Sequence, residues 1–329
     1  MFAAVFYSYN LIIMKINLHQ HVNLLTDFGF KRFFGTEPYK HNLIHFLNTF
    51  LEPYIGHITD ITLRPTEQLG LSDKEKRVVY DVYCINQDED HVIVEMQQED
   101  QKFMKNRMIA YSSRIISNSL KVGDRKYDIP TVITIVLANF RVAELTGRDD
   151  FVQYVTLKDE QNNIFSKKMA FLLIDLSKFA ARKQFDQLAD DRARWCYTIR
   201  NMERIEESAI PAQYVMFRKL CEECRITKLN VMEKQEYEKS VLEYEDVQDA
   251  LAYRHELSLA EGYKKGLEEG REEGREEGRE EGIEKGRAEG RKALLDAVRN
   301  FLRMGLSVHD VAQATGLSEE EVGELETEN

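Results

Sequence analysis

Apolar positions recur along this chain with two different periods, and the change of period divides it into elements. Between His41 and Tyr54, Leu43, Phe46, Leu47, Phe50 and Leu51 fall at i, i+3, i+4, i+7 and i+8. That spacing makes one stripe of an amphipathic helix, and Pro53 marks its end. Ile58–Leu63 is a short strand candidate stopped by Pro65. Two β-branched runs follow, Val78–Ile85 and Val92–Gln97. The polar stretch Asn86-Gln87-Asp88-Glu89-Asp90 between them has the length of a hairpin loop. Phe103–Leu120 returns to helical spacing, Pro130 opens a strand over Thr131–Ala138, and Phe151–Leu157 and Met169–Leu176 add strand candidates. From about Asp190 to Leu259 the pattern is mostly helical. Helix, three strands, helix, strand describes an α/β core with a mixed sheet flanked by helices.

Beyond this the pattern changes character. Glycine recurs every four residues at Gly262, Gly266, Gly270, Gly274, Gly278, Gly282, Gly286 and Gly290, with Glu and Arg between. Four residues advance a helix by about 400°, so these glycines form a slowly winding stripe. Each costs a helix about 1 kcal/mol against Ala, while a Glu–Arg pair such as Glu272 and Arg275 returns only ~0.2–0.5 kcal/mol. A lone helix is therefore marginal. A glycine stripe lets two backbones approach closely, which points to a homo-oligomer, and a solvated spacer remains the plainer alternative. Leu294–Met304 then reads as an amphipathic helix, and Ser307 and Ser318 as N-caps, the second with Glu321 completing a capping box. The turn at Thr315-Gly316 gives a helix-turn-helix-like end. Its second helix carries Glu319, Glu320, Glu321 and Glu324, the wrong charge for reading DNA, so it is expected to pack on protein. The expected organisation is a core over 14–185, a helical region packed on it over 186–260, a Gly/Glu/Arg repeat helix over 261–292 and the C-terminal unit over 293–329.

Charge and composition narrow the classes. The 329 residues carry a net charge of −12, against a nucleic-acid partner at first sight. Yet Lys102, Lys105, Arg107, Arg114, Lys121, Arg125 and Lys126 crowd one segment with Asp124 the single anion, a basic face on an acidic protein. Four cysteines are too few for a disulfide scaffold and suit a reducing, cytoplasmic setting. Cys221 and Cys224 form a lone CxxC, expected to be two reduced thiols on a helix. His41 and His45 have zinc-ligand spacing without a third ligand in view, and a surface or capping role is expected. No apolar run reaches the ~18 residues of a membrane span. Residues 1–13 are apolar but lack a basic region, and translation is expected to start at Met14.

The candidate chemistry sits on the hairpin. If residues 86–90 form the loop, Ile85 faces His91 and Asp81 faces Glu95. Alternation then sends Asp81, Glu95 and Gln97 to one face of the sheet. Two facing carboxylates repel, and burial raises the cost of ionising them. A divalent cation resolves the conflict, and Mg2+ suits a few carboxylates with water and phosphate completing its shell. Because the register is assumed, a solvated face that binds nothing stays open.

The ordered set Leu25-Thr26-Asp27-Phe28-Gly29-Phe30-Lys31-Arg32-Phe33-Phe34-Gly35, Tyr80-Asp81-Val82-Tyr83, Val92-Ile93-Val94-Glu95-Met96-Gln97, Arg107 with Tyr111, and Ile129-Pro130-Thr131-Val132 resembles the PD-(D/E)XK nuclease superfamily. It is more closely similar to the recombination-promoting nucleases (the Rpn family), a transposase-like group. The resemblance implies a restriction-endonuclease-like sheet, with Asp81 and Glu95 holding Mg2+ and DNA as substrate. Tyr80 stands where the name of the superfamily has Pro, and Gln97 where it has Lys. Gln97 could orient the attacking water but offers no positive charge. Asp27 and Lys31 either support the site from the first helix or form a helix cap and surface pair. Lys102, Lys105, Arg107 and Tyr111 are candidate DNA contacts, with Tyr111 packing on the sheet as the alternative for that residue. The expected protein is a Mg2+-dependent DNA endonuclease of relaxed sequence preference, homo-oligomeric through its repeat helix, needing no small-molecule cofactor. The competing expectation is a catalytically weak or inactive DNA-binding scaffold that keeps the fold.

Overall fold

The computed structural model describes residues 19–68, 78–120, 128–145, 147, 150–180 and 183–327. The expected start at Met14 and the cations Lys121, Arg125 and Lys126 lie outside them. By compactness the chain forms two units, Met1–Ala252 and Tyr253–Asn329.

The first unit opens with helix α1 (Asp27–Phe34), capped by Thr26, whose hydroxyl accepts the Gly29 amide at 3.1 Å. Gly29 is required there: a Cβ would stand 2.2 Å from the Asn23 carbonyl oxygen. Helix α2 (Lys40–Ile55) buries Leu43, Phe46, Leu47, Phe50 and Leu51, the stripe read from the sequence. Pro53 lies in its last turn. Strands β1 (Ile61–Leu63), β4 (Val82–Asn86), β5 (His91–Gln97), β6 (Val132–Ala138), β7 (Val152–Lys158) and β8 (Ile164–Asp175) form one sheet in the order β1-β4-β5-β6-β8-β7. The pairs β5–β6 and β6–β8 are parallel and the others antiparallel, so the sheet is mixed as expected. β2 (Glu67–Gln68) and β3 (Val78–Val79) form a separate two-stranded ribbon.

Alternation gives the sheet two buried faces. Val82, Cys84, Val92, Val94, Ile133, Ile135 and Leu137 join the large core with α1, α2, helix α4 (Asp191–Asn201) and helix α5 (Val215–Glu223). Trp195 lies at its centre, fully buried, its indole N–H donating to His45 Nδ1 at 3.0 Å. The other face carries Tyr83, Ile93, Val132 and Val136 under helix α3 (Met104–Ser119). Ser112 of α3 meets Thr134 of β6 at 2.9 Å between their hydroxyl oxygens. All four cysteines are free and buried, and burial pushes the Cys84 and Cys221 thiols up to about 12; of the CxxC pair, Cys221 lies on α5 and Cys224 caps its end.

Helix α6 runs unbroken from Val231 to Arg303. Its first turns belong to the first unit, where Tyr237 and Val241 enter the large core. Leu294–Met304, expected as a separate helix, is the end of α6. Nothing in the sequence interrupts it, because the glycines alternate with Glu, Arg, Lys and Ala, good helix formers that carry it through. In the second unit, Val298 of α6 packs with Val311 and Ala312 of helix α7 (Val308–Thr315) and Val322 of helix α8 (Glu319–Thr327). The capping box is present: Ser318 N–H donates to Glu321 Oε2 at 3.0 Å, and Glu321 N–H to Ser318 Oγ at 3.2 Å. Among the described residues no helix is long and apolar enough to cross a membrane.

Candidate functional site

The β4–β5 hairpin sets the site. Asn86 Oδ1 accepts the amides of Asp88 at 3.0 Å and Asp90 at 2.8 Å, which closes the loop and fixes the register. Ile85 faces His91 and Val82 faces Val94, so Asp81, one residue further, comes level with Glu95. The strand expected over Val78–Ile85 breaks at Tyr80 and Asp81. The break lets Asp81 reach across, and Met96 N–H donates to its Oδ2 at 2.8 Å. Asp81 N–H in turn donates to Glu95 Oε1 at 3.3 Å. Each carboxylate is thus held by the backbone of the other's strand.

Tyr80 anchors that break from behind. It is fully buried; its N–H donates to the Thr66 carbonyl at 2.9 Å and its hydroxyl to the Tyr111 carbonyl at 3.5 Å. A proline in this position would lack both the amide and the phenol. Gln97, buried at 7 %, follows Glu95 on the same strand face, level with Ala138 of β6.

The electrostatics are those of an unfavourable pair. Burial pushes the Glu95 carboxyl up to about 8, and the charge of Asp81 adds to it. Asp81 is raised as well, by burial, against the opposing pull of the Met96 amide and of Lys31. Lys31 and Arg107 act on both carboxyls in the ionising direction. Two hard oxygen acids, Glu95 buried and Asp81 half-buried, whose ionisation is opposed by their surroundings, form a donor set that fits a divalent cation. Among the described residues no group of three or more His, Cys, Asp or Glu is arranged to hold a metal, so a cation here would rest on two carboxylates plus water and phosphate.

The other sequence candidates divide. Asp27, Lys31 and Asp81 line one cleft, together with Thr66 and the acidic root of α6. Lys31 Nζ is 2.6 Å from Asp27 Oδ1. Tyr111 packs against Tyr80, ring centroids 5.2 Å apart, and burial followed by the Glu95 charge raises its hydroxyl, so it belongs to the rim of the site. The Arg107 guanidinium stacks 5.8 Å from the Tyr111 ring and donates to Gln101 Oε1 at 3.0 Å. Lys102, just ahead of α3, lies over the Phe103 ring, and Lys105 in the first turn of α3 is paired with Glu144; both are exposed. His41 Nε2 lies 3.0 Å from Glu223 Oε1 and His45 is taken up by Trp195.

Two features escape sequence reasoning. Thr66, Glu233, Glu236 and Glu243 join the cleft only through tertiary packing. Asp175, fully buried at the end of β8, carries no motif that would single it out; its oxygens accept the Val142 and Ser177 amides and the Ser177 hydroxyl, so it fastens the loop after β6.

Comparison with curated proteins and with solved structures found no match. A family model described as PD-(D/E)XK nuclease family transposase matches residues 24–254, a span that holds every candidate site residue. Given that coverage, a mixed sheet and a hairpin bearing facing Asp and Glu, the chain belongs to the PD-(D/E)XK nuclease family of transposases.

Proposed function

We propose that the protein is a Mg2+-dependent DNA endonuclease that hydrolyses phosphodiester bonds with relaxed sequence preference. The observation that carries this is the reciprocal latch of Asp81 and Glu95, a half-buried and a buried carboxylate fixed side by side in a setting that opposes their ionisation. Such a pair is costly unless a cation offsets it. Asp81 and Glu95 are the metal-holding groups in this reading. Mg2+, when bound, supplies polarisation of the phosphoryl oxygen and a more acidic water. The Gln97 amide oxygen accepts a hydrogen bond from the attacking water and aims it. Lys102, Lys105 and Arg107 meet the phosphates of the strand, and Tyr111 lends Arg107 a flat surface. The α6 repeat brings copies of the chain together, and the protein works in the cytoplasm.

The test is nicking of supercoiled plasmid with and without Mg2+. Asp81→Ala and Glu95→Ala are each expected to abolish cleavage and to leave DNA binding in Ca2+ largely intact. Gln97→Ala is expected to slow it by roughly 10–100-fold, the scale of a water-positioning group. Full activity in both carboxylate variants would remove the site assignment. A parent that binds DNA but does not nick it at any Mg2+ concentration would favour the inactive scaffold.

A further inference from the structure

Phosphodiester hydrolysis places negative charge on the non-bridging oxygens as the attacking and leaving oxygens line up. Groups that meet this charge act best when they already stand beside it. Gln97 is neutral, so a protein cation for the task has to come from another element. We propose that Lys31, on α1, is the phosphate-facing cation of the Asp81–Glu95 site, paired with Asp27 until a phosphate takes it. This rests on the nuclease reading of that carboxylate pair.

Lys31, Asp27 and Asp81 line the same cleft, about 550 Å³ in volume. The Lys31 ammonium acts on Asp81 more strongly than Arg107 does, and it also acts on Glu95, where Arg107 leads it. The helix that carries it is rigidly seated. Thr26 caps it, Gly29 is pressed against the Asn23 carbonyl, Phe30, Phe33 and Phe34 are buried, and Phe28 N–H donates to Ser240 Oγ at 3.0 Å.

Neighbouring cations are otherwise engaged. Lys239 of α6 lines the same cleft, but it pairs with Glu243 at 3.7 Å. Arg32 pairs with Glu233 and packs over the Phe33 and Tyr39 rings at 5.7 and 5.4 Å. Lys105 and Arg107, which meet the flanking phosphates from α3, are not among the residues lining this cleft, and Arg107 rests on Gln101 and Tyr111. Lys31 is held by Asp27 alone among the ion pairs of the described residues, with side chains 38 % and 59 % exposed. An exposed pair of this kind is weak, so an arriving phosphate can take the ammonium from the carboxylate. Of the α6 carboxylates in the cleft, Glu233 is paired with Arg32 and Glu243 with Lys239, while Glu236 adds a negative charge on the α6 side that disfavours a phosphate there.

The experiment compares the full-length parent with Lys31→Met, Lys31→Arg, Gln97→Lys and the Lys31→Met/Gln97→Lys double variant. Plasmid cleavage and calorimetric Mn2+ binding are both measured. Lys31→Met is expected to slow cleavage about 100-fold, the scale of losing one preorganised charge-stabilising group. Its Mn2+ affinity is expected to rise a few-fold, because a cation has left the neighbourhood of the ligands. Lys31→Arg keeps most of the rate. Adding Gln97→Lys to Lys31→Met restores at least tenfold of the loss and weakens Mn2+ again. A lysine that only supports the fold would neither tighten the metal on removal nor be replaced by a charge on β5. Cleavage by Lys31→Met within twofold of the parent, or no rescue by Gln97→Lys, overturns the assignment while the nuclease reading stands. A parent that never cuts, with Mg2+ or Mn2+, overturns both.

Discussion

At the scale of single residues, Glu95 offers a test that needs neither metal nor DNA. Its carboxyl is pushed from an ordinary 4.5 up to about 8, by burial first and by Asp81 second. Between those two values the folded protein keeps a proton that the unfolded chain has released. Fewer protons on the unfolded state means that stability falls as pH rises through the window. Asp81, raised by burial, bends the curve in the same direction from its own lower starting point. The metal-free protein is therefore expected to lose melting temperature between pH 5 and pH 8. Glu95→Gln, which keeps the shape and removes the ionisation, is expected to flatten that slope and to melt higher than the parent at pH 8. Mg2+ acts in the opposite sense, raising the parent's melting temperature most at the alkaline end, because binding needs the ionised pair. Thermal melts of the two proteins across this range decide it: an unchanged slope in Glu95→Gln would assign the titration to another group.

At the scale of elements, α3 carries the prediction. Lys102 stands just ahead of it, Lys105 lies in its first turn, and Arg107 follows two residues on. Neutralising all three is expected to weaken DNA binding for every sequence alike. The slope of log K against log salt should fall by about 1 for each phosphate that no longer meets a cation. Fluorescence anisotropy across a salt series reads both, and an unaltered slope would move the DNA surface off α3. Much of this level was legible in the sequence. The polar run Asn86–Asp90 between two β-branched strands marked the hairpin loop, and the register assumed from it, Ile85 opposite His91, is the one the strands adopt. What alternation could not show is the break at Tyr80 and Asp81, because a strand pattern says nothing about a carboxylate that leaves the ladder to accept the Met96 amide. The acidic wall of the cleft was equally hidden. Glu233, Glu236 and Glu243 lie in the helical region expected to pack on the core, but which side it would turn inward only the burial of Tyr237 and Val241 shows. Lys31 was visible as an i, i+4 partner of Asp27, but spacing could not place it beside Asp81.

At the scale of the whole molecule, the family match ends at residue 254 and the first compact unit at Ala252, so the glycine repeat lies outside both. Within one chain the repeat has no packing reason for glycine. At every repeat glycine from Gly262 to Gly290 an added Cβ would meet nothing within 4 Å. Ion pairs along the helix, such as Lys265 with Glu269 at 3.7 Å and Glu281 with Lys285 at 3.6 Å, are exposed and weak. Each glycine still costs the helix about 1 kcal/mol against Ala, so its regular return every fourth residue asks for an explanation beyond the single chain. Replacing Gly270, Gly274, Gly278 and Gly282 with Ala separates the two that are open. In a solvated spacer the four methyl groups only raise helicity, and the mass in light scattering is unchanged. In a close contact between two copies they force the backbones apart, and the oligomer weakens although each helix is intrinsically better formed. The second outcome is the one expected, with deletion of residues 259–329 giving a monomer whose sheet and α1–α5 remain folded. Higher helicity at unaltered mass would leave the repeat as a spacer and place any association elsewhere on the protein.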